Sequence, residues 1–251
     1  MVYVAGASPR RLARIAGALY LVNILCGAFA IGFVPATLFA SDPATTAANI
    51  QAHELLYRSG LAAHVVVTVT NVPLALIFYE LFKVVNRRVA LLAAFFILVA
   101  TAIEAASLVN EFAPLVLLGD GSDTGALPAA QLQGLAAMHS QLADVSYTIY
   151  TVFFGLDILC LSYLVLRSRL LPLAIAVLLA VDGLAYLVYS FTDFLAPSLA
   201  ASLTPWIQLP PPVAEGAFAL WLLVFGINLE RWTKRSDEAI RMRVGQVEAP
   251  Q

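Results

Sequence analysis

The sequence predicts an all-α fold, a polytopic transmembrane bundle of six spans with both termini in the cytoplasm. Three observations carry that expectation. The 251 residues are 61% hydrophobic and 12% charged, with a mean hydropathy of +0.86, which is far more apolar than a soluble domain. Six apolar stretches are each long enough to cross a hydrocarbon core of about 30 Å. Of the 14 Lys and Arg residues, all but Arg58 fall on one side of a six-span arrangement: Arg10, Arg11, Arg14, Lys83, Arg87, Arg88, Arg167, Arg169, Arg231, Lys234, Arg235, Arg241 and Arg243. That positive-inside asymmetry puts both termini in the cytoplasm, and a seventh or a missing crossing would scatter the same residues over both sides.

A short polar leader with Arg10-Arg11 precedes the first span, about residues 12–34. The arginine pair imitates a twin-arginine signal, but the apolar run exceeds the roughly 7–15 residues of a signal h-region, so an uncleaved span is expected. Asp42 then reads as an N-cap and Pro43 as a first helical position, with a short surface helix over about 43–57 that Gly60 ends. The second span covers about 59–82, the polar turn KVVNRR follows, and the third span covers about 89–118. GDGSDTGALP at 119–128 is a loop by its turn-residue density. The helical pattern from Ala129 to Leu166 is too long for one crossing, so its first part projects and the fourth span covers about 142–166. The fifth span covers about 170–194. Five prolines in 196–212 predict a loop on the membrane rim with Trp206 in the aromatic belt. The sixth span covers about 213–231, so residues 1–232 form the membrane domain and 233–251 a polar cytoplasmic tail, whose basic residues suit anionic lipid.

An ionised carboxylate facing lipid costs about 2.5–3.5 kcal/mol even on the lenient insertion scale. At 1.5 Å per residue, Asn71 lies about 18 Å from the basic end, Glu104 about 24 Å, Asp157 about 15 Å, Asp182 about 20 Å, Glu215 about 24 Å and His64 about 29 Å. Four midplane acids with no Lys or Arg among them must face inward together and are completed by protons, a cation or a ligand. Helical spacing supports this. Asp182, Tyr186, Tyr189 and Asp193 form one stripe, Glu104, Ser107 and Glu111 another, and His64, Thr68 and Asn71 a third, while Asp157 points away from the face carrying Asp144, Tyr147, Thr148 and Thr151. The candidate ligand- or ion-binding residues are therefore His64, Asn71, Glu104, Asp157, Asp182, Tyr186 and Glu215. NEFAP at 110–114 and DFLAP at 193–197 end similar helices and suggest two parallel pseudo-repeats.

The stretches VNRRVALLAAFFILV (85–99), VFFGLDILCLSYLVLRS (152–168) with LAYLVYSFTDFLAP (184–197), and VAEGAFALWLLVFGIN (213–228) resemble the signature segments of a bacterial membrane family, domain-of-unknown-function family 4386. The resemblance runs from about Arg14 to Asn228. It implies a six-helix bacterial membrane protein and brings no established activity with it.

Cys26 and Cys160 lie in separate apolar stretches and offer neither a disulfide framework nor a metal-type pair. No Gly-rich phosphate loop, nucleophile elbow or nucleic-acid module is present, so no nucleic-acid partner and no cofactor are expected. The leading expectation is a multi-pass protein of a bacterial cytoplasmic membrane that uses buried carboxylates for proton- or cation-coupled transport of a small solute. One alternative is an intramembrane metal-dependent hydrolase acting on a lipid, with His64, Glu104 and Asp182 as ligands of a bound metal ion. Another is a non-catalytic membrane partner or sensor. The expected partners are the bilayer and a small solute or lipid, with the oligomeric state open.

Overall fold

The computed structural model describes residues 8–119 and 127–248. Residues 1–7 of the polar leader, 120–126 of the expected loop and 249–251 of the tail lie outside the described residues. Every regular element among the described residues is helical: α1 (Pro9–Gly27), a π-turn (Ala28–Phe33) leading into α2 (Val34–Leu38), α3 (Pro43–Ala52), α4 (Glu54–Phe82), α5 (Arg87–Leu118), α6 (Ala129–Ser168), α7 (Leu173–Leu195), α8 (Pro197–Ile207), α9 (Pro210–Val224) and α10 (Leu229–Glu248). Five helical stretches are long and apolar enough to cross a membrane, or six if the pair α9 and α10, bent by 90°, is counted as one. The protein is a membrane protein.

Six of these helices close a ring. α1 packs on α4, α4 on α5, α5 on α6, α6 on α7, α7 on α9, and α9 back on α1. Small residues set two of the seams. At Gly17 the backbone of α1 lies directly on Ala219 and Leu223 of α9, and Gly155 of α6 meets Gly183 of α7 so closely that a Cβ on Gly183 would lie 2.8 Å from the Gly155 carbonyl oxygen. Close backbone approach at small residues is how helices gain packing where lipid supplies no hydrophobic drive. Inside the ring, Ala13, Ala16, Leu81, Phe82, Leu164, Val165 and Leu222 seal the basic end, and Tyr20, Phe78 and Phe218 form an aromatic cluster above them with ring centroids 5.4–6.1 Å apart.

The arginines of that end satisfy helix C-termini, whose last carbonyls have no partner within the helix. Arg14 donates to the Val224 carbonyl at 3.0 Å and Arg10 to Phe225 at 3.3 Å, at the end of α9. Arg235 donates to Arg167 and Arg231 to Arg169, at the end of α6. The buried Trp232 gives its indole N–H to the Leu81 carbonyl at 3.0 Å. Trp232→Phe keeps most of the apolar contact and removes that bond, so thermal unfolding in detergent should show a loss of about 1 kcal/mol. An unchanged midpoint would mean that the tail helix is held by its apolar contact alone.

Several boundaries differ from the sequence expectation, each for a physical reason. The first helical stretch runs on to Leu38 rather than ending at 34, because the π-turn carries the chain through Gly32 without a break. The surface helix stops at Ala52, where His53 leaves the helical region (φ −124°, ψ 40°), and Gly60 lies within α4. Gly60 makes room for Val34, whose side chain lies 3.1 Å from where a Cβ would sit; it does not terminate a helix. Asp42 is the expected N-cap and Pro43 the first helical residue. The Thr45 backbone N–H and hydroxyl, each 2.9 Å from Asp42, hold that carboxyl below its usual range. The proline-rich stretch 196–212 contains helix α8, not a loop: Pro197 opens α8 and Pro210, Pro211 and Pro212 occupy the first turn of α9, where a missing N–H costs nothing. The last apolar helix stops at Val224, not 231, and Gly226 takes the left-handed conformation (φ 69°) that starts the turn into α10, so the tail is helical as far as Glu248. Pro114 lies inside α5 while Pro197 begins a new helix, so the two motifs behind the suspected pseudo-repeat do different things.

Candidate functional site

The polar side chains inside the ring fall into two groups rather than one. The first lies toward the end away from the basic residues and is organised by His64 on α4, which is 6% exposed. Its Nδ1 is 2.8 Å from Glu111 and its Nε2 3.2 Å from Glu104, both on α5. The seven-residue step between these acids is two helical turns, which aligns them on one face and lets one imidazole bridge both. Thr68 and Asn71, one and two turns along α4 from His64, each donate to the other Glu104 oxygen at 3.3 Å. Asn23 of α1 continues the network to the Asn71 side-chain oxygen at 2.9 Å and to the Val67 carbonyl at 3.0 Å.

This network forms one wall of a cavity of about 160 Å³. Glu104, Ser107 and Glu111 face it from α5, His64 and Tyr57 from α4, Ser140, Asp144, Ser146, Tyr147 and Tyr150 from α6, and Ala30, Ile31 and Val34 from the π-turn and α2. At about 30 Å³ per water the space holds a handful of waters or one small organic molecule. A vestibule of about 180 Å³ between α3, α5 and the projecting first half of α6 shares Phe39, Ser140 and Asp144 with the cavity, so the two meet at those residues. The lining contains three carboxylates and one imidazole, and no Lys or Arg. With every acid ionised, the cavity would carry at least two uncompensated negative charges.

The second group lies nearer the basic end. Glu215 of α9, 8% exposed, receives the Tyr20 hydroxyl at 2.8 Å and the Tyr186 hydroxyl at 2.9 Å, one on each oxygen. Asp182, one turn before Tyr186 on α7, is 0% exposed, and neither of its oxygens has a hydrogen-bond partner among the described residues. Asp157 of α6 is also buried and borders a gap of about 10 Å³ beside Ala75, Phe78 and Ala93, on the α4–α5 side. An aromatic row runs from one group to the other. Tyr147 stacks on Tyr150 at 5.9 Å, Tyr150 on Phe154 at 5.3 Å, and Phe154 meets Tyr186 edge-on at 5.2 Å.

Of the residues singled out from the sequence, His64, Asn71 and Glu104 are thus joined directly, Glu215 and Tyr186 are joined directly with Asp182 beside them, and Asp157 faces another seam. His64, Glu104 and Asp182 do not form one metal-ligand set, and among the described residues no three His, Cys, Asp or Glu side chains are placed to hold a metal ion. His139 hydrogen-bonds Asn110 at 2.9 Å, away from His64. On the stripe of α7, Asp193 lies farther from this centre and accepts from Thr148 at 3.0 Å. Tyr20, Asn23 and the cavity-lining Tyr150 were not expected at the site. For Tyr20 and Asn23 the usable signal was polar atoms in an otherwise apolar first span, since both must find partners once lipid is excluded.

Residues 15–226 match the model of a family described as a domain of unknown function, DUF4386. Searches of curated proteins and of solved structures each returned no match.

Proposed function

The chain belongs to the DUF4386 family, whose description assigns no reaction, and we propose from the cavity itself that the protein moves a small cationic or hydroxylated solute across a bacterial cytoplasmic membrane, coupled to proton or cation uptake at its carboxylates. The observation that carries this reading is the charge inventory of the cavity: Glu104, Glu111 and Asp144 against the single imidazole of His64, with no Lys or Arg in the lining. Such a space favours whatever brings positive charge or hydroxyl donors. The vestibule supplies access from the end opposite the basic residues, and the apolar seal of Phe82, Leu164 and Trp232 closes the other. In this reading α9 is the sixth span, both termini are cytoplasmic, and the cavity opens outward, as the distribution of basic residues favours. Its 15 residues reach only about 22 Å, short of a typical core, and the bend into α10 lets the tail helix lie along the inner surface.

The test is proton flux into proteoliposomes loaded with a pH-sensitive dye. Glu104→Gln keeps an acceptor for Thr68 and Asn71 and leaves His64 paired with Glu111, so stability should stay within about 1 kcal/mol of the wild type. Flux should fall to the level of empty liposomes. Unchanged flux in a folded Glu104→Gln protein overturns the reading.

A further inference from the structure

Asp182 is the buried acid that the cavity does not use, and its surroundings are specific. α7 packs between α6 and α9. Near it lie Glu215 of α9, Tyr147 of α6, Tyr20 of α1 and, on its own helix, Tyr186. The Tyr20 and Tyr186 hydroxyls are both given to Glu215. The one buried imidazole, His64, is committed to Glu104 and Glu111. An ionised Asp182 would therefore be a charge without a hydrogen-bond donor or a counter-ion, close to a second carboxylate that already holds both hydroxyls. Proteins do not retain such a charge; the group is neutral or a ligand completes it.

Glu215 holds two hydroxyl donors and Asp182 holds none. Of two carboxyl groups buried in one region, the one stripped of donors is the one that needs a proton to be retained there. A metal cation fits poorly. It needs several oxygens around it, the donors on Glu215 point their protons inward, Asp182 lines neither the cavity nor the vestibule, and the gap beside Asp157 is about 10 Å³, room for about one water. A proton requires no space.

We propose that Asp182 and Glu215 form a proton-binding pair in which Asp182 carries the proton and Glu215 takes the two hydroxyl donors, and that the ion coupled to the distal cavity is therefore H⁺. Binding adds one proton and raises the charge of the pair by one; release returns it, with no other bond made or broken. The pair as a proton site stands on its own geometry, while its use in coupling rests on the reading of the distal cavity given above.

Infrared difference spectroscopy of the full chain in lipid nanodiscs tests the pair directly. At neutral pH the wild type should show the carbonyl stretch of a protonated, non-hydrogen-bonded carboxylic acid, shifted by deuterium exchange and by carboxyl-¹³C aspartate. Asp182→Asn should lose that band, and Glu215→Gln should keep it but move its pH dependence. Persistence of the band in Asp182→Asn overturns the proposal. Should that variant not fold, the ¹³C-aspartate label on the otherwise unmodified chain decides, since absence of any protonated aspartic-acid band overturns it equally. Flux lost in Glu104→Gln with no such band removes the pair and keeps the cavity reading; the band present with flux unchanged keeps the pair and removes the cavity reading.

Discussion

His64→Leu is expected to destabilise the bundle by about 3–5 kcal/mol, the range found when one partner of a buried ionic group is removed. His64 is 6% exposed and Glu104 5% exposed, with the ring nitrogens at 2.8 Å from Glu111 and 3.2 Å from Glu104. Leucine fills much of the same volume, so the loss measures charge and hydrogen bonding rather than a cavity. If the cluster were held only by neutral hydrogen bonds between helices, worth about 0.6 kcal/mol each on average, two lost bonds would cost little more than 1 kcal/mol. The two accounts differ severalfold, so reversible unfolding in mixed detergent separates them. A second comparison isolates the charges. In a protein already carrying Glu104→Gln and Glu111→Gln, His64→Leu should cost about 1 kcal/mol, because no carboxylate is left stranded. A loss near 1 kcal/mol in the wild-type background would show that the acids around His64 are already neutral, and the cavity's negative charge with them.

The inward placement of the acids was legible because the cost of the alternative is large and one-signed: Glu104, Asp157, Asp182 and Glu215 are each 8% exposed or less. Their partners were not legible. Helical periodicity gives the face on which Asp182 lies but not the helix that face will meet, and that depends on which pairs of helices can approach closely. Gly17 against α9 and Gly155 against Gly183 decide it, yet a glycine that permits close approach looks in sequence like one that ends a helix, as the misreading of Gly60 shows. The ring order followed from those contacts, and with it the division of one expected site into two. His64 and Asn71 reach Glu104 because α4 neighbours α5; Tyr20 and Tyr186 reach Glu215 because α9 sits between α1 and α7. Prolines carry the same ambiguity. A run of three reads as a helix breaker, but in the first turn of α9 none of their missing N–H groups was needed.

Gly17→Ala should lower stability by about 1–3 kcal/mol, the usual cost of overpacking, and Gly17→Val by more. The sign is not obvious from helix chemistry alone. Alanine is favoured over glycine inside a helix by about 0.8–1.0 kcal/mol, so the substitution begins with a gain. Against it stands the seam with α9. A Cβ at Gly17 would lie 2.7 Å from the Ala219 carbonyl oxygen and 2.8 Å from the Leu223 Cα, both backbone atoms that cannot rotate aside. The helices must separate by a substantial fraction of an ångström, and the buried contacts of Ala13, Ala16 and Tyr20 with Phe218, Ala219 and Leu222 loosen with them. One turn further along, the Tyr20 hydroxyl stands 2.8 Å from Glu215, so the same separation lengthens the bond that holds one Glu215 oxygen. Gly134→Ala provides the control, since that glycine is exposed on α6 with nothing within 4 Å of a built Cβ. It should gain roughly 0.5–1 kcal/mol from helix propensity. Unfolding of both variants in the same detergent therefore predicts shifts of opposite sign, and a Gly17→Ala protein stabilised as much as Gly134→Ala would show that α1 and α9 do not meet at that glycine.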